Sequence, residues 1–214
     1  MDSKHVYASM ASTPDKPKSR RDFVVSYLSP WVGKVQVNLE PIAGRMGSGR
    51  KFAHLPDEGV VLTIDDDLLY GPQYVRFMLR KLEQYPGSVV SLGGREVLRS
   101  PEHYYRDEGW CHKHDWRNVG GEDVKVDIPL AGVTAFRAED VPIRFPEDFP
   151  IENADDVCLG VFCARREIPI YSVRPTEPLV TYLGNPEPTI WSEQSALPTC
   201  NKAAWVRQTW FEGA

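Results

Sequence analysis

An apolar run that ends in three consecutive aspartates constrains the fold more than any other feature of the chain. Residues 60–64 (VVLTI) are mostly β-branched and bounded by charge, which is typical of a buried strand, and Asp65-Asp66-Asp67 follow directly. The carboxyl end of such a strand lies at the rim of a sheet, where open α/β folds bind ligands. Adjacent carboxylates repel one another unless a cation offsets their charge. The pattern therefore predicts an α/β sheet with an acidic, cation-binding rim.

The spacing within the triplet suggests which carboxylates act together. Alternate side chains of an extended chain point the same way, so Asp65 and Asp67 are expected to converge while Asp66 points elsewhere. Carboxylate oxygens suit Mg²⁺ or Mn²⁺, ions that commonly hold the phosphates of a nucleotide. A solvated turn is the alternative, because aspartate is common in turns and Gly71-Pro72 follows closely. Turns seldom place three like charges after a buried strand, which favours the metal site.

Length and composition limit the class of protein. The chain has 214 residues and a formal net charge of −5, which fits one sizeable α/β domain. No apolar run approaches the length of a membrane span. Residues 1–5 (MDSKH) lack the features of a secretory signal, and four cysteines are too few and too irregularly spaced for a disulfide framework. We therefore expect a cytoplasmic protein without a membrane span, whose oligomeric state the sequence leaves open.

Positive charge is concentrated in residues 15–51, where eight basic residues against three acidic ones give about +5. A basic arm that faces an acidic cluster could grip a diphosphate directly and through a bridging metal. A solvated basic surface is the alternative for each of these residues. Arg50-Lys51 is the best placed pair, because it leads into the strand that ends at Asp65.

Periodicity and turn residues predict one α/β domain over residues 1–175, with a mixed, mostly parallel sheet and flanking helices, and a Pro/Trp-rich tail over 176–214 packed on it. Strands are expected at 5–10, 35–39, 60–64, 88–92, 124–128 and 168–173, and helices at 19–28, from Pro72 to about 85, and at 153–166. Residues 129–136 fit either a strand or a tight turn, and residues 93–122 follow no clear period.

A second acidic pair, Asp155-Asp156, lies at the start of the last predicted helix. Asn153 or one aspartate could cap that helix and complement its dipole. Capping does not require two further carboxylates, however. Negative charge is favourable at a helix N-terminus, which suits a general base, so catalysis is slightly favoured over capping here.

Several further motifs follow one another in order between residues 5 and 173. They are Thr13-Pro14 with Arg20 or Arg21 nearby, Lys51-Phe52, residues 62–74 (LTIDDDLLYGPQY), 132–136 (GVTAF), 155–159 (DDVCL) and 168–170 (IPI). In this order they resemble the motif series of bacterial family 2-like glycosyltransferases, which have the Rossmann-like GT-A fold. The order carries the resemblance, because a bare DxD triplet often arises by chance.

The resemblance implies roles for individual residues. Asp65 and Asp67 correspond to the DxD motif, which holds Mn²⁺ or Mg²⁺ and the nucleotide diphosphate of the donor. Asp156 matches the aspartate that deprotonates the acceptor hydroxyl in inverting members, and Asp155 takes the place of the residue before it. The residues then assigned to holding the donor are Thr13, Arg20, Lys51, Asp65 and Asp66.

The chain also departs from the family pattern. Residues 47–50 (GSGR) stand where many relatives carry an aspartate, Cys158 replaces a tryptophan, and Gly93-Gly94 replaces a His-Gly pair. No histidine follows His114, so waters and phosphate oxygens would fill the place of the late histidine that completes the metal shell in some members.

The function that these residues imply is a metal-dependent, hexosyltransferase-like glycosyltransferase. It would move a sugar from a nucleoside-diphosphate sugar to a glycan or other acceptor hydroxyl, with inversion. A modified DNA base is a less favoured acceptor, because the chain is acidic overall. A nucleotidyltransferase is the alternative enzyme, and a non-catalytic sugar-nucleotide-binding protein is the alternative from another class.

Overall fold

Short strands and a few helices make up the part of the chain that the structure, a computed structural model, describes: residues 5–12, 17–39, 47–184, 195–196 and 201–212. The strands are β1 (Val6–Ser12), β2 (Lys34–Leu39), β3 (Val60–Ile64), β4 (Leu68–Tyr70), β5 (Val89–Ser91), β6 (Gly94–Val97), β7 (Cys111–His114), β8 (Val124–Val126), β9 (Ile128–Pro129), β10 (Val133–Arg137), β11 (Ile170–Ser172) and β12 (Val180–Tyr182). The α-helices are α1 (Lys18–Leu28), α2 (Pro72–Gln84), α3 (Asp155–Arg165) and α4 (Asn201–Arg207). Ser29–Trp31 and Gly47–Phe52 form 3₁₀ turns, and Gln208–Glu212 forms a π-helical turn.

The central sheet has seven strands in the order β2-β1-β3-β10-β5-β11-β8. Five of them run in one direction, whereas β10 and β8 run antiparallel to their neighbours. Two small sheets, β12-β4 and β7-β6-β9, lie beside it. The predicted α/β class, with a mixed and mostly parallel sheet flanked by helices, is confirmed.

Strand β3 is buried along its whole length because both faces of the sheet are covered. Its side chains alternate between two apolar clusters. Val60, Leu62 and Ile64 join the cluster that contains α1 and α2, and Val61 joins the cluster that contains α3 and α4. This double burial explains a continuous apolar run that stops abruptly at the aspartates.

Most of the predicted elements agree with the structure within one or two residues, including a helix that begins at Pro72. Residues 129–136 form both the tight turn and the strand that were the alternatives from sequence. The turn is closed by the Val133 N–H, which donates to the Leu130 carbonyl at 3.0 Å, and it precedes β10. The single strand expected at 124–128 is wrong. The chain leaves the central sheet at Asp127, whose carboxylate accepts the Val97 N–H at 2.7 Å, and continues as β9 in a small sheet.

The division of the chain at residue 175 stays a prediction. The described part of residues 176–214 is more regular than expected, because it supplies β12, which pairs with β4, and α4, which packs against α3. Ala203 and Val206 of α4 are buried in the same apolar cluster as α3. In the described ranges, no helix has the length and apolar character that crossing a membrane requires.

Gly160 sets how closely α3 approaches the β8–β9 segment. A Cβ atom at this position would lie 2.8 Å from the Asp127 carbonyl oxygen and 3.2 Å from the Ile128 Cα atom, both in the backbone. Gly160→Ala should therefore destabilise the protein by about 1–3 kcal/mol through overpacking, although alanine ordinarily favours a helix. Urea unfolding measures the difference.

The control for that substitution is Ala164→Gly, at an exposed position of the same helix. It should cost about 1 kcal/mol through helix propensity alone. An increase in stability for Gly160→Ala would show that the helix is free to move away from the strand.

Candidate active site

The three aspartates form the turn that joins β3 to β4. Tyr70, at the end of β4, fixes the turn with its hydroxyl, which accepts the Asp65 N–H at 2.7 Å and donates to the Gly132 carbonyl at 2.6 Å. The hydroxyl is buried, so both hydrogen bonds are protected from water. The backbone of the turn is therefore held to the strand beside it rather than left as a solvated loop.

The three carboxylates have different surroundings. Asp66 is buried, and its Oδ2 atom accepts the Ser12 hydroxyl of β1 at 2.7 Å. Asp65 and Asp67 are partly exposed, with 38% of the Asp65 side chain accessible. This alternation agrees with the expected spacing. It gives Asp66 an internal role in joining the turn to β1, rather than an open position for a ligand.

Gly132 leaves room for the Asp65 side chain. It precedes β10, which pairs with β3 so that Val133 faces Ile64. A Cβ atom on Gly132 would lie only 1.9 Å from Asp65 Oδ2. Any larger residue would displace the carboxylate, which gives the glycine of the GVTAF segment a physical role.

Lys51 joins the two acidic segments. The 3₁₀ turn Gly47–Phe52 carries it beneath the sheet rim, where its ammonium group contacts Asp65 Oδ1 and lies 2.9 Å from Asp155 Oδ2. Its carbonyl accepts the Ser9 hydroxyl at 2.6 Å, and the next residue, Phe52, is buried in the apolar core. The predicted acidic rim thus contains a cation supplied by the chain itself.

Lys51 and Asp155 form a buried pair in which both groups are charged at neutral pH. Burial lowers the pKa of Lys51, but the carboxylates of Asp155 and Asp65 outweigh it and hold that pKa above its ordinary value. Burial raises the pKa of Asp155, whereas the charges of Lys51 and Lys202 and the Ser48 hydroxyl lower it, with a net pKa below the ordinary value. The pairing therefore outweighs desolvation for both groups.

The start of α3 is not capped by Asn153 or by an aspartate, the side chains that the sequence predicted as possible caps. The residue before the helix is Ala154, which has no capping group, and Asn153 Oδ1 instead accepts the Ser48 N–H at 3.1 Å. Asp155 Oδ1 accepts the Ser48 hydroxyl at 2.6 Å. Asp155 therefore contacts a different element, and so does Asp156, as its bonds with Tyr104 and Lys202 show. These contacts weaken capping as the explanation of the pair.

Asp156 is held by groups that sequence reasoning missed. The Tyr104 hydroxyl donates to Asp156 Oδ2 at 2.7 Å, and the Lys202 ammonium of α4 donates to Oδ1 at 3.1 Å. Lys202 also donates to the Tyr105 hydroxyl at 2.8 Å, and Arg95 lies over the Tyr104 ring at 4.9 Å. No motif marked these residues, because they come from the segment without clear period and from the tail.

The remaining predicted donor-binding residues are Arg20, Thr13 and Lys51. Arg20 is in the first turn of α1, a helix that packs against β4 directly after the aspartate turn. Thr13 lies outside the described residues. Lys51 is in the site, but its ammonium group is paired with two carboxylates and its side chain is only 2% exposed.

The carboxylates of the aspartate turn fit a divalent ion that is also bound by a substrate. Within residues 5–12, 17–39, 47–184, 195–196 and 201–212, no three acidic, histidine or cysteine side chains converge to hold an ion by themselves. Mg²⁺ needs no such group when one or two carboxylates and the phosphates of a nucleotide bind it. Asp65 and Asp67 are partly exposed carboxylates of this kind, and Gly132 leaves the Asp65 carboxylate its space.

Comparisons with known proteins name no family. No protein-family model matches the chain, and no curated protein does. Among solved structures, the chain is similar to one described as the crystal structure of A197 from STIV, with 14% sequence identity, a TM-score of 0.47, and coverage of 87% of this chain and 97% of that one. Evidence for a function therefore comes from this chain's own residues.

Removing Lys51 should leave Asp155 buried beside a second carboxylate without its main partner. Lys51→Met is expected to lower the free energy of unfolding by about 3–5 kcal/mol, the usual cost of an orphaned buried charge. The matched control is Arg117→Met, which removes a solvent-exposed pair with Asp115 and should change stability very little. Equal effects of the two substitutions in urea unfolding would contradict the assigned pairing.

The Asp155 carboxylate should make stability depend on acid. Because its pKa is lowered in the folded state, its contribution is fully present above about pH 4 and is lost as the pH falls through the lower folded value. Unfolding in urea between pH 6 and pH 2, at about one-unit steps, should show a steeper loss for the wild type than for Asp155→Asn. Parallel curves would show that this carboxylate is not stabilised by folding.

Proposed function

We propose that the protein is a metal-dependent glycosyltransferase that moves a sugar from a nucleoside-diphosphate sugar to an acceptor hydroxyl, with inversion. The observation that carries this proposal is the ion pair through Lys51, which joins the aspartate turn after β3 to the start of α3 across 90 residues of sequence (155 − 65). Two acidic segments that resemble the donor and base motifs of one family are thereby brought to the same rim.

The donor half of the proposed site is the turn after β3. A divalent ion there would offset the charge that develops on the leaving diphosphate. Asp65 and Asp67 would hold the ion. Tyr70 fixes the backbone of Asp65, and Ser12 fixes Asp66 between them. The backbone of the turn is therefore held in place before substrate arrives, which favours binding of a transition-state charge.

Partly exposed carboxylates support a cationic ligand in addition to the lysines. Asp65 and Asp67 present two such carboxylates in the turn after β3. A diphosphate alone would be repelled by this site. A diphosphate that arrives with Mg²⁺ or Mn²⁺ would meet less repulsion.

The acceptor half of the proposed site is Asp156. An ionised carboxylate has about four lone-pair sites, of which Tyr104 and Lys202 use two. With 17% of its side chain exposed, Asp156 can still accept a hydrogen bond from an acceptor hydroxyl. It would then take the proton as that oxygen attacks the anomeric carbon.

The position of Asp156 favours glycosyl transfer over nucleotidyl transfer. A nucleotidyltransferase would also use aspartates at a strand end, but it would not need a second aspartate at the start of a helix beside them. A cytoplasmic location stays a prediction, and the sequence leaves the donor sugar and the identity of the acceptor open.

The deciding experiment is a panel of UDP- and GDP-sugars with and without Mn²⁺. We expect at least one donor to raise the melting temperature by several degrees only when Mn²⁺ is present, because a ligand at about 100 times its Kd adds about 2.7 kcal/mol. The same donor should release nucleoside diphosphate. Asp156→Asn should lower that release about 10²–10⁴-fold without loss of the thermal shift.

Two further variants test the metal site and serve as a control. Asp65→Asn should remove the Mn²⁺-dependent thermal shift, whereas Asp57→Asn, at an exposed position away from the site, should change neither measurement. Turnover that survives Asp156→Asn would refute the base assignment. A thermal shift without turnover would favour a binding protein, and release of pyrophosphate from a nucleoside triphosphate and a sugar phosphate would favour a nucleotidyltransferase.

A further inference from the structure

The C-terminal helix α4 places one lysine inside the proposed active site. Lys202 is only 4% exposed, although lysine is rarely buried without a partner. It lies 97 residues along the chain from Tyr105, and its ammonium group reaches Asp156 Oδ1 at 3.1 Å and the Tyr105 hydroxyl at 2.8 Å. A charge on α4 therefore contacts a carboxylate of α3.

Burial acts to lower the pKa of Lys202, but Asp156, Tyr105 and Asp155 together outweigh that effect and hold the pKa above its ordinary value. The ammonium group is therefore charged at every physiological pH. It cannot act as a base there, and its hydrogen bonds to Asp156 and Tyr105 are made to groups of the protein itself. It can hold the Asp156 carboxylate in one orientation and balance its negative charge.

The two oxygens of Asp156 are held by different elements. Tyr104 contacts Oδ2 from the segment before β7, and Lys202 contacts Oδ1 from α4. Two hydrogen bonds to the two oxygens fix the rotation of a carboxylate, whose last torsion is otherwise broad. The direction in which its remaining lone pairs point is therefore set by both residues together.

We infer that Lys202 is a positioning residue for Asp156, so that the described C-terminal helix completes the active site rather than merely covering the core. This inference rests on the proposed function. It adds that the orientation of the base, and therefore the rate of transfer, depends on a residue of α4 that does not contact the donor. The acceptor then binds beside a carboxylate that is already aligned.

The test is a double-mutant cycle on turnover with the donor identified above. Lys202→Met should lower kcat about 10²-fold, as expected for misplaced catalytic groups, while the KM for the donor and the Mn²⁺-dependent thermal shift stay unchanged. In the Asp156→Asn background the same substitution should have no further effect on kcat, because Lys202 acts through that carboxylate. A purely structural role would lower kcat equally in both backgrounds.

Arg207→Met is the matched control on the same helix. Its guanidinium donates to the Pro101 carbonyl at 2.8 Å, so the variant weakens the docking of α4 without touching Asp156. If Arg207→Met lowers kcat as much as Lys202→Met does, the inference is wrong and docking of the helix is what matters. If Lys202→Met fails to fold, Lys202→Arg replaces it in the cycle, because it keeps the charge but changes the reach.

The result separates the two proposals. A wild-type protein that releases no nucleoside diphosphate from any donor would overturn the proposed function, and the inference with it. A wild-type protein that turns over a donor, together with a Lys202→Met variant of undiminished kcat or additive effects in the cycle, would overturn the inference alone.

Discussion

The buried ammonium group of Lys51 is the interaction on which the arrangement of the site depends. It lies between a carboxylate at the end of β3 and a carboxylate at the start of α3, and its pair with Asp155 is shielded from water, whereas Asp65 is partly exposed. Removing charges from water is costly, so such a pair is retained only when its geometry is good and further hydrogen bonds complete it. The Ser48 hydroxyl donates such a hydrogen bond to Asp155, and the Ser9 hydroxyl holds the backbone of Lys51 by donating to its carbonyl.

A buried ion pair of this kind is better evidence for specificity than for stability, because an apolar replacement of equal volume often folds as well. Here the pair specifies which part of α3 faces the aspartate turn. An apolar trio at the same positions could slide or rotate, whereas two charge-assisted contacts to one ammonium group define a single register. The same device recurs one residue later, where Lys202 and Tyr104 hold Asp156.

The sequence predicted the elements that have a strong local pattern and missed those defined by distant contacts. The apolar run before Asp65, Pro72 at a helix start and the acidic start of α3 were all recognisable locally. Lys51 was expected near the donor, but its burial between two carboxylates was not predicted, since sequence shows the charge of a residue but not its partner. Tyr104 and Lys202 had no local pattern at all, because only folding brings them to Asp156.

The place of β10 at the middle of the central sheet has a consequence for how the chain reaches this fold. Its neighbours β3 and β5 precede it in sequence, with Ile64 and Val133 separated by 69 residues (133 − 64) although they are paired. Until β10 is inserted, the facing edges of both strands have unsatisfied backbone groups and apolar faces. Such edges readily pair with other chains. During synthesis, the chain that precedes β10 therefore exposes these edges and should aggregate more readily than the complete protein.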